Sequence, residues 1–281
     1  PIPPQLSLVF YPSDMTPNGE FTDNEMLDTQ GIASFLTGLG ANWSQVTVLG
    51  SLDSTNLEIS RNISAVQPSD VKIIVAEEQT AGLGRLGRNW TSSYGQGIAM
   101  SIGLAASEVR QEASALPLVV GLAVTRALQA SGVLANLKWP NDVIFPNPDG
   151  SIRKFGGILV QRIEHAFVIG IGINVSHGVD ELPTEFATSL AIEGFKVSRN
   201  ELVARIIYEV ELALLTPSDW ISEYESVCLS IGREVVVNQL SGEQLIGTAI
   251  AVLPTGALLV ATDDAEVEVT LGDVEHATIA Q

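Results

Sequence analysis

The sequence predicts an α+β fold: a mixed sheet with flanking helices, followed by a small all-β segment. Three observations carry this. From Val46 onward short β-branched runs mix with helical stretches; after Gly232 only short alternating strands remain, separated by turns. With 46% apolar and 17% charged residues, the chain can bury a sizeable core. Its 281 residues suit one large domain or two unequal ones. The expected division is an extension over 1–45, a main domain over 46–230 and a β domain over 231–281.

Residues 1–45 open with Pro1, Pro3, Pro4, Pro12 and Pro17 and a polar, turn-like stretch from Asp14 to Asn24, with a short helix expected near Met26–Leu39. Val46–Leu49 reads as a strand, Asp53-Ser54 as a helix N-cap and Asn56–Ala65 as the helix it opens. Lys72–Ala76 reads as a buried strand leading into a glycine-rich loop, and Asn89–Gly97 as turn-forming throughout. Gly97–Leu104 is a further strand, and Ala113–Ser131 a buried helix stopping at Gly132. Asn136–Trp139, Val143–Phe145, Phe155–Gln161 and Phe167–Val175 follow as strands, with a hairpin turn at Pro146–Gly150. Ser198 and Glu201 form an S-x-x-E box opening a helix with Leu202, Ile206, Val210 and Leu214 on its apolar face. Thr216-Pro217 is expected to start another helix running to about Leu229. Strands at Glu234–Val237, Leu245–Leu253, Ala257–Ala261 and Glu266–Thr270, with turns at Ser241-Gly242, Pro254–Gly256 and Asp263-Asp264, read as a small barrel or sandwich.

Composition narrows the function. Fourteen cations against thirty-three acids give a net charge of −19, which repels polyphosphate, and no Lys or Arg precedes Arg61. Nucleic acid is therefore not the expected partner. The single Cys228 excludes an internal disulfide, and His165, His177 and His276 stand alone, as packing or surface residues rather than metal ligands. The apolar run Leu116–Val124, broken by Pro117 and Gly121, reads as too short for a bilayer, and no charged region precedes an apolar one at the N-terminus. A cytoplasmic protein with no membrane partner is expected.

Four segments carry chemistry. Gly82, Gly84 and Gly87 spell G-x-G-x-x-G, but a dinucleotide motif should open a helix and the residues after it are turn-formers. Two readings remain: a loop whose Arg85 and Arg88 bind a phosphate or carboxylate, or a surface loop whose arginines pair with nearby acids. Lys138-Trp139-Pro140-Asn141-Asp142 is a kinked strand end presenting an amine, an amide and a carboxylate. Arg153-Lys154 leads into a strand with Gly156 and Gly157; Gly170 and Gly172 alternate in another, where a ligand or close packing must compensate their cost. Five of the fourteen cations (Arg85, Arg88, Lys138, Arg153 and Lys154) fall in or beside these segments, the composition of a pocket for a phosphorylated ligand with a flat apolar part.

Taken together, Ser54-Thr55-Asn56, Gln79 with the Gly82–Arg88 loop and Trp90, Lys138–Asp142, Lys154–Val160 and Gly170–Asn174 resemble the biotin protein ligase family, in the correct order. The resemblance runs from about Val46 to the end. It implies a class II synthetase-like catalytic domain with a C-terminal SH3-like barrel. It further implies ATP-dependent formation of biotinyl-5'-AMP and transfer of biotin to a lysine of a biotin carboxyl carrier protein, with Mg2+ assisting. By the same resemblance, Ser54, Thr55, Asn56, Gln79, Leu83, Gly84, Arg85, Lys154, Gly157 and Gly170 would hold biotin. Arg88, Trp90, Asn141, Lys154 and Asn174 would hold ATP, Arg85 and Lys154 would be catalytic, and Asp142 would meet a metal or the acceptor lysine. Three departures stand out: Leu83 where many members have arginine, Gly156 for alanine, and Gln161 where an acid is common. The family's repressors add an N-terminal DNA-binding domain; residues 1–45 are too short and acidic for one, so no DNA binding is expected, and the protein would act as a monomer or homodimer. The rival readings are a lipoate–protein ligase with the same adenylation chemistry, and a non-catalytic biotin or adenylate sensor, which retention of Arg85 and Lys154 opposes.

Overall fold

The computed structural model describes residues 26–63, 70–147, 150–216, 218–238, 243–270 and 272–276. The proline-rich start, the end of the helix predicted to Ala65, Pro148-Asp149, Pro217 and the Ser241-Gly242 turn lie outside them.

An eight-stranded mixed sheet forms the body. Its strands are β1 (Val46–Leu52), β2 (Val71–Leu83), β3 (Asn89–Ser92), β4 (Gly97–Ala105), β5 (Asn136–Lys138), β6 (Asp142–Pro146), β7 (Ile152–Ile163) and β8 (Ala166–Asn174). The order is β1-β2-β4-β8-β7-β6-β5, with β3 paired to β2. Only β1 and β2 run parallel; the other pairs are antiparallel. Every residue of β4 is buried, so this central strand is a continuous small and apolar run rather than an alternating one.

Helices α1 (Thr29–Leu39), α3 (Leu116–Ala130) and α4 (Arg199–Leu215) pack together over one face, and α2 (Thr55–Arg61) covers the other. The faces separate along β8. Ile169, Ile171 and Ile173 enter the main core, whereas Ala166 and Val168 meet Ile59 of α2 in a small second cluster. In α4, Leu202, Ile206, Val210 and Leu214 are fully buried, and Ser198 Oγ accepts from the Glu201 N–H at 3.2 Å. The run Ala113–Ala130, with α3 within it, is long and apolar enough to cross a membrane, against the sequence expectation, but 67% of it is buried in this core.

After α5 (Trp220–Val227) come β9 (Glu234–Asn238), β10 (Gln244–Val252), β11 (Leu258–Ala261), β12 (Glu266–Val269) and β13 (Asp273–His276). They form an antiparallel sheet in the order β12-β11-β10-β9-β13. The buried Trp139 indole donates to the Gly256 carbonyl at 2.9 Å, tying the main sheet to the turn before β11.

The structure corrects several expectations. Strand β2 continues to Leu83, because pairing with β1 and then β3 gives its polar second half backbone partners. For the same reason Asn89–Ser92 is a strand, not a turn. Helix α5 begins at Trp220 after Asp219, not at Pro217. Strand β13 was not anticipated. The described part of the N-terminal stretch is no appendage: Asp28 caps α1 through Gln30 and Gly31, and Ile32 and Leu36 lie fully buried in the main core. Deeper still, Arg199 Nη1 sits 2.7 Å from Glu77 Oε2 and donates to the Gly97 carbonyl, while the other Glu77 oxygen accepts the Leu27 N–H.

Candidate active site

A cavity of about 280 Å³ opens on the α2 face of the main sheet and is walled on one side by β13. Every sequence-predicted site residue lines it except Asn174. Its side-chain amide, buried at the end of β8, donates to the Thr188 carbonyl at 3.0 Å. Arg153 also stays out: it pairs with Glu193 at 3.0 Å and with Asn147, so the cationic segment Arg153-Lys154 splits between two environments.

One end of the cavity is a network of neutral polar groups. Gln79 Oε1 accepts both the Thr55 N–H at 2.8 Å and the Thr55 hydroxyl at 2.9 Å. Ser101 Oγ lies 2.7 Å from Thr55 Oγ1 and 2.5 Å from Asn56 Oδ1. A carboxamide oxygen only accepts, so Ser101 gives its proton to Asn56. Asn56 Nδ2 in turn donates to Gln161 Oε1 at 2.8 Å. Gln161, where an acid was expected, thus serves as an acceptor for Asn56. Ser101 escaped the sequence reading; the signal was a hydroxyl within the apolar run Ile98–Ile102.

The middle of the cavity explains the glycines. Gly157 of β7 faces Gly172 of β8 across the ladder, and the Trp90 indole lies over both: a Cβ on Gly172 would meet it at 2.4 Å and one on Gly157 at 3.3 Å. A Cβ on Gly170 would stand 2.3 Å from Asn56 Oδ1. The glycines therefore admit the side chains that shape the cavity. This is the close-packing alternative, in the service of a pocket.

The far end is charged. Lys154 Nζ is 2.5 Å from Asp142 Oδ1 and 5.8 Å from the centre of the Trp90 ring. Arg85 donates to Asn141 Oδ1 at 3.0 Å, and Asn141 Nδ2 is held by the Ile158 carbonyl. Burial pushes the Arg85 guanidinium below its ordinary pKa, with Asp273 and Asp142 opposing the shift and Arg88 adding to it. An arginine so placed stays cationic at neutral pH. Arg88 forms a short ion pair with Asp273. The loop is closed by Gly84, whose N–H donates to the Arg88 carbonyl at 2.7 Å, so that N–H is engaged within the loop rather than presented to a ligand. A single 3-10 turn over Arg85–Gly87 leads straight into β3, which removes the helix a dinucleotide motif needs. Asp142 is committed to Lys154, and among the described residues no group of three or more His, Cys, Asp or Glu side chains could hold a metal ion.

Comparison with known proteins first sets the class: residues 48–176 match the biotin/lipoate A/B protein ligase family. A biotin--[acetyl-CoA-carboxylase] ligase of Mycobacterium tuberculosis is 29% identical over 259 residues, covering 89% of this chain and 96% of that protein. The bifunctional ligase/repressor BirA of Bacillus subtilis is 30% identical over 246 residues, covering 81% of this chain and 72% of the relative. A solved biotin protein ligase from Aquifex aeolicus in complex with biotin and ATP is 28% identical, with a TM-score of 0.72, over 84% of this chain and all of that one. This chain belongs to the biotin protein ligases.

Proposed function

We propose that the protein uses ATP to activate biotin as biotinyl-5'-AMP and transfers the biotinyl group to a lysine of a biotin carboxyl carrier protein. One observation carries this reading: Arg85 and Lys154, from a loop and a strand far apart in sequence, line the same cavity whose opposite end is a neutral hydrogen-bonding network. Ser54, Thr55 and Gln79 face the ureido head of biotin there, Asn56, Gly157 and Gly170 shape the wall beside it, and Leu83 closes the rim. Trp90 serves the adenine side, with Arg88 and Asn141 near the phosphates; Asn174 acts through the Thr188 segment it holds.

In adenylation the biotin carboxylate attacks the α-phosphorus and pyrophosphate leaves. Two anions must meet, so fixed cations at Arg85 and Lys154 stabilise the charge that builds between them. Magnesium bound with ATP would share the neutralisation of the phosphates with Arg85 and Lys154. In transfer the acceptor amine attacks the anhydride carbonyl and AMP leaves. Once phosphate engages Lys154, the freed Asp142 carboxylate is placed to meet the incoming lysine.

On this reading residues 46–230 form the catalytic domain and 231–281 an SH3-like barrel, supported by the five short antiparallel strands. We place the reaction in the cytoplasm, in keeping with one buried, free Cys228, and assign no role to DNA or membrane. The test is ATP-dependent transfer of biotin to a purified carrier domain, with competitive calorimetry against lipoate. Biotin binding without lipoate binding is expected; the reverse would transfer the assignment to lipoate ligation.

A further inference from the structure

We propose that Asp273 is a positioning residue, an internal counter-anion that pins the glycine-rich loop before nucleotide arrives and yields its arginines to the phosphates. The inference rests on the adenylating reading of the site. Asp273 belongs to the other sheet: it opens β13 and pairs with Asn238 of β9. Its carboxylate bonds to Arg88 and lies 3.8 Å from Arg85, and the preceding Gly272 carbonyl accepts from Arg85 at 3.4 Å. The anchor is firm, because a Cβ on Gly272 would stand 2.9 Å from Val237 Cγ1 and 3.1 Å from the Asn238 carbonyl.

The loop needs such a hold. At its tip Leu86 has φ 55°, a left-handed conformation that disfavours a branched side chain, and its side chain is exposed. Apart from the Gly84–Arg88 and Arg88–Arg85 backbone bonds within the loop, the hydrogen bonds that fix it among the described residues run through the Arg85 and Arg88 side chains to Asn141, Gly272 and Asp273. A carboxylate on those guanidinium groups occupies the place of a phosphate oxygen, since both are anions read by the same planar donors. Nucleotide must therefore compete with Asp273, and apparent ATP affinity is the intrinsic affinity multiplied by the fraction of molecules left unpinned.

The isosteric substitution Asp273→Asn in the full chain tests this. Without substrates, tryptic cleavage after Arg85 and Arg88 should quicken about twofold to fivefold, as loss of a partly exposed pair implies, and biotin with ATP should restore protection. In biotin-dependent ATP–pyrophosphate exchange the KM for ATP should fall by a similar factor while kcat holds within about twofold. Unchanged cleavage overturns the proposal, and so does an unchanged or raised KM, the latter because Asp273 would then help bind nucleotide. If the parent protein shows no exchange, the enzymatic reading fails, and the cleavage arm still judges the pin. Should circular dichroism show the variant unfolded, potassium chloride added to the parent protein replaces it. Cleavage at the two arginines must then rise relative to that of an unstructured reference peptide, and no rise overturns the proposal.

Discussion

The two ends of the cavity are held by different forces. At the Thr55–Gln79 end the groups are neutral, largely buried and satisfied by one another, on elements of the central sheet and α2. At the Arg85–Arg88 end the groups are charged and more exposed, and the carboxylate that meets both arginines comes from another sheet. A neutral ligand head must meet a prebuilt set of donors and acceptors, because an unpaired buried amide or hydroxyl is costly. An anion can be met by cations already paired, because the ligand offers a stronger anion in exchange. The first end is a template, and the second is an exchangeable set of partners.

Substitutions can break that contrast. Lys154→Ala removes a cation from the reacting centre while leaving the template whole; biotin-dependent pyrophosphate release should drop about 10²–10³-fold or more, with the thermal transition little changed. Retained activity would deny Lys154 its catalytic place. Gly170→Ala drives a methyl into Asn56, so calorimetry should show biotin affinity falling roughly tenfold or more, with stability reduced by about 1–3 kcal/mol. Ser101→Ala leaves Asn56 Oδ1 short of its donor, at a cost of about 1–3 kcal/mol in thermal or urea unfolding, and weakens biotin binding in step. Arg85→Gly should spare the template, changing biotin affinity only about twofold to fivefold, but let the adenylate escape; labelling of bystander lysines, read on a streptavidin blot, should appear. The smallest effect lies outside both ends. His177 is buried, neither ring nitrogen has a hydrogen-bond partner among the described residues, and burial lowers its pKa against the pull of Glu181. The unfolded chain takes up a proton there below the ordinary value of 6.5, and the folded chain does so only at lower pH. Stability is therefore fully present above that pH and declines as pH falls below it. Melting curves of His177→Asn should show a shallower decline over that window.

The template was more legible in the sequence than the exchangeable end. Ser54, Thr55 and Gln79 sit at a helix start and a strand, local settings that motif and periodicity reveal, and the glycines of β7 and β8 announced a close approach. Asp273 did not announce itself. Its strand follows a glycine near the end of the chain, and its partner Arg88 lies 185 residues earlier on a loop of the other sheet, so no local pattern joins them. Ser101 was hidden by chemistry rather than distance, since a serine in a buried strand shows its purpose only when Thr55 and Asn56 arrive opposite it. The length of β2 and the existence of β3 depended likewise on pairing, which overrides the turn preference of Asn89–Ser92.

The Glu77–Arg199 pair beneath the sheet bears on how such a chain can change over generations. Loss of either charge alone leaves the other buried without its counter-charge, at about 3–5 kcal/mol, whereas replacing both together avoids that penalty and leaves the Leu27 N–H and the Gly97 carbonyl to find other partners. Single-step drift is therefore closed at these positions while a concerted exchange stays open. The two residues should be inherited as a unit, and a descendant that has altered one should carry a matching alteration in the other.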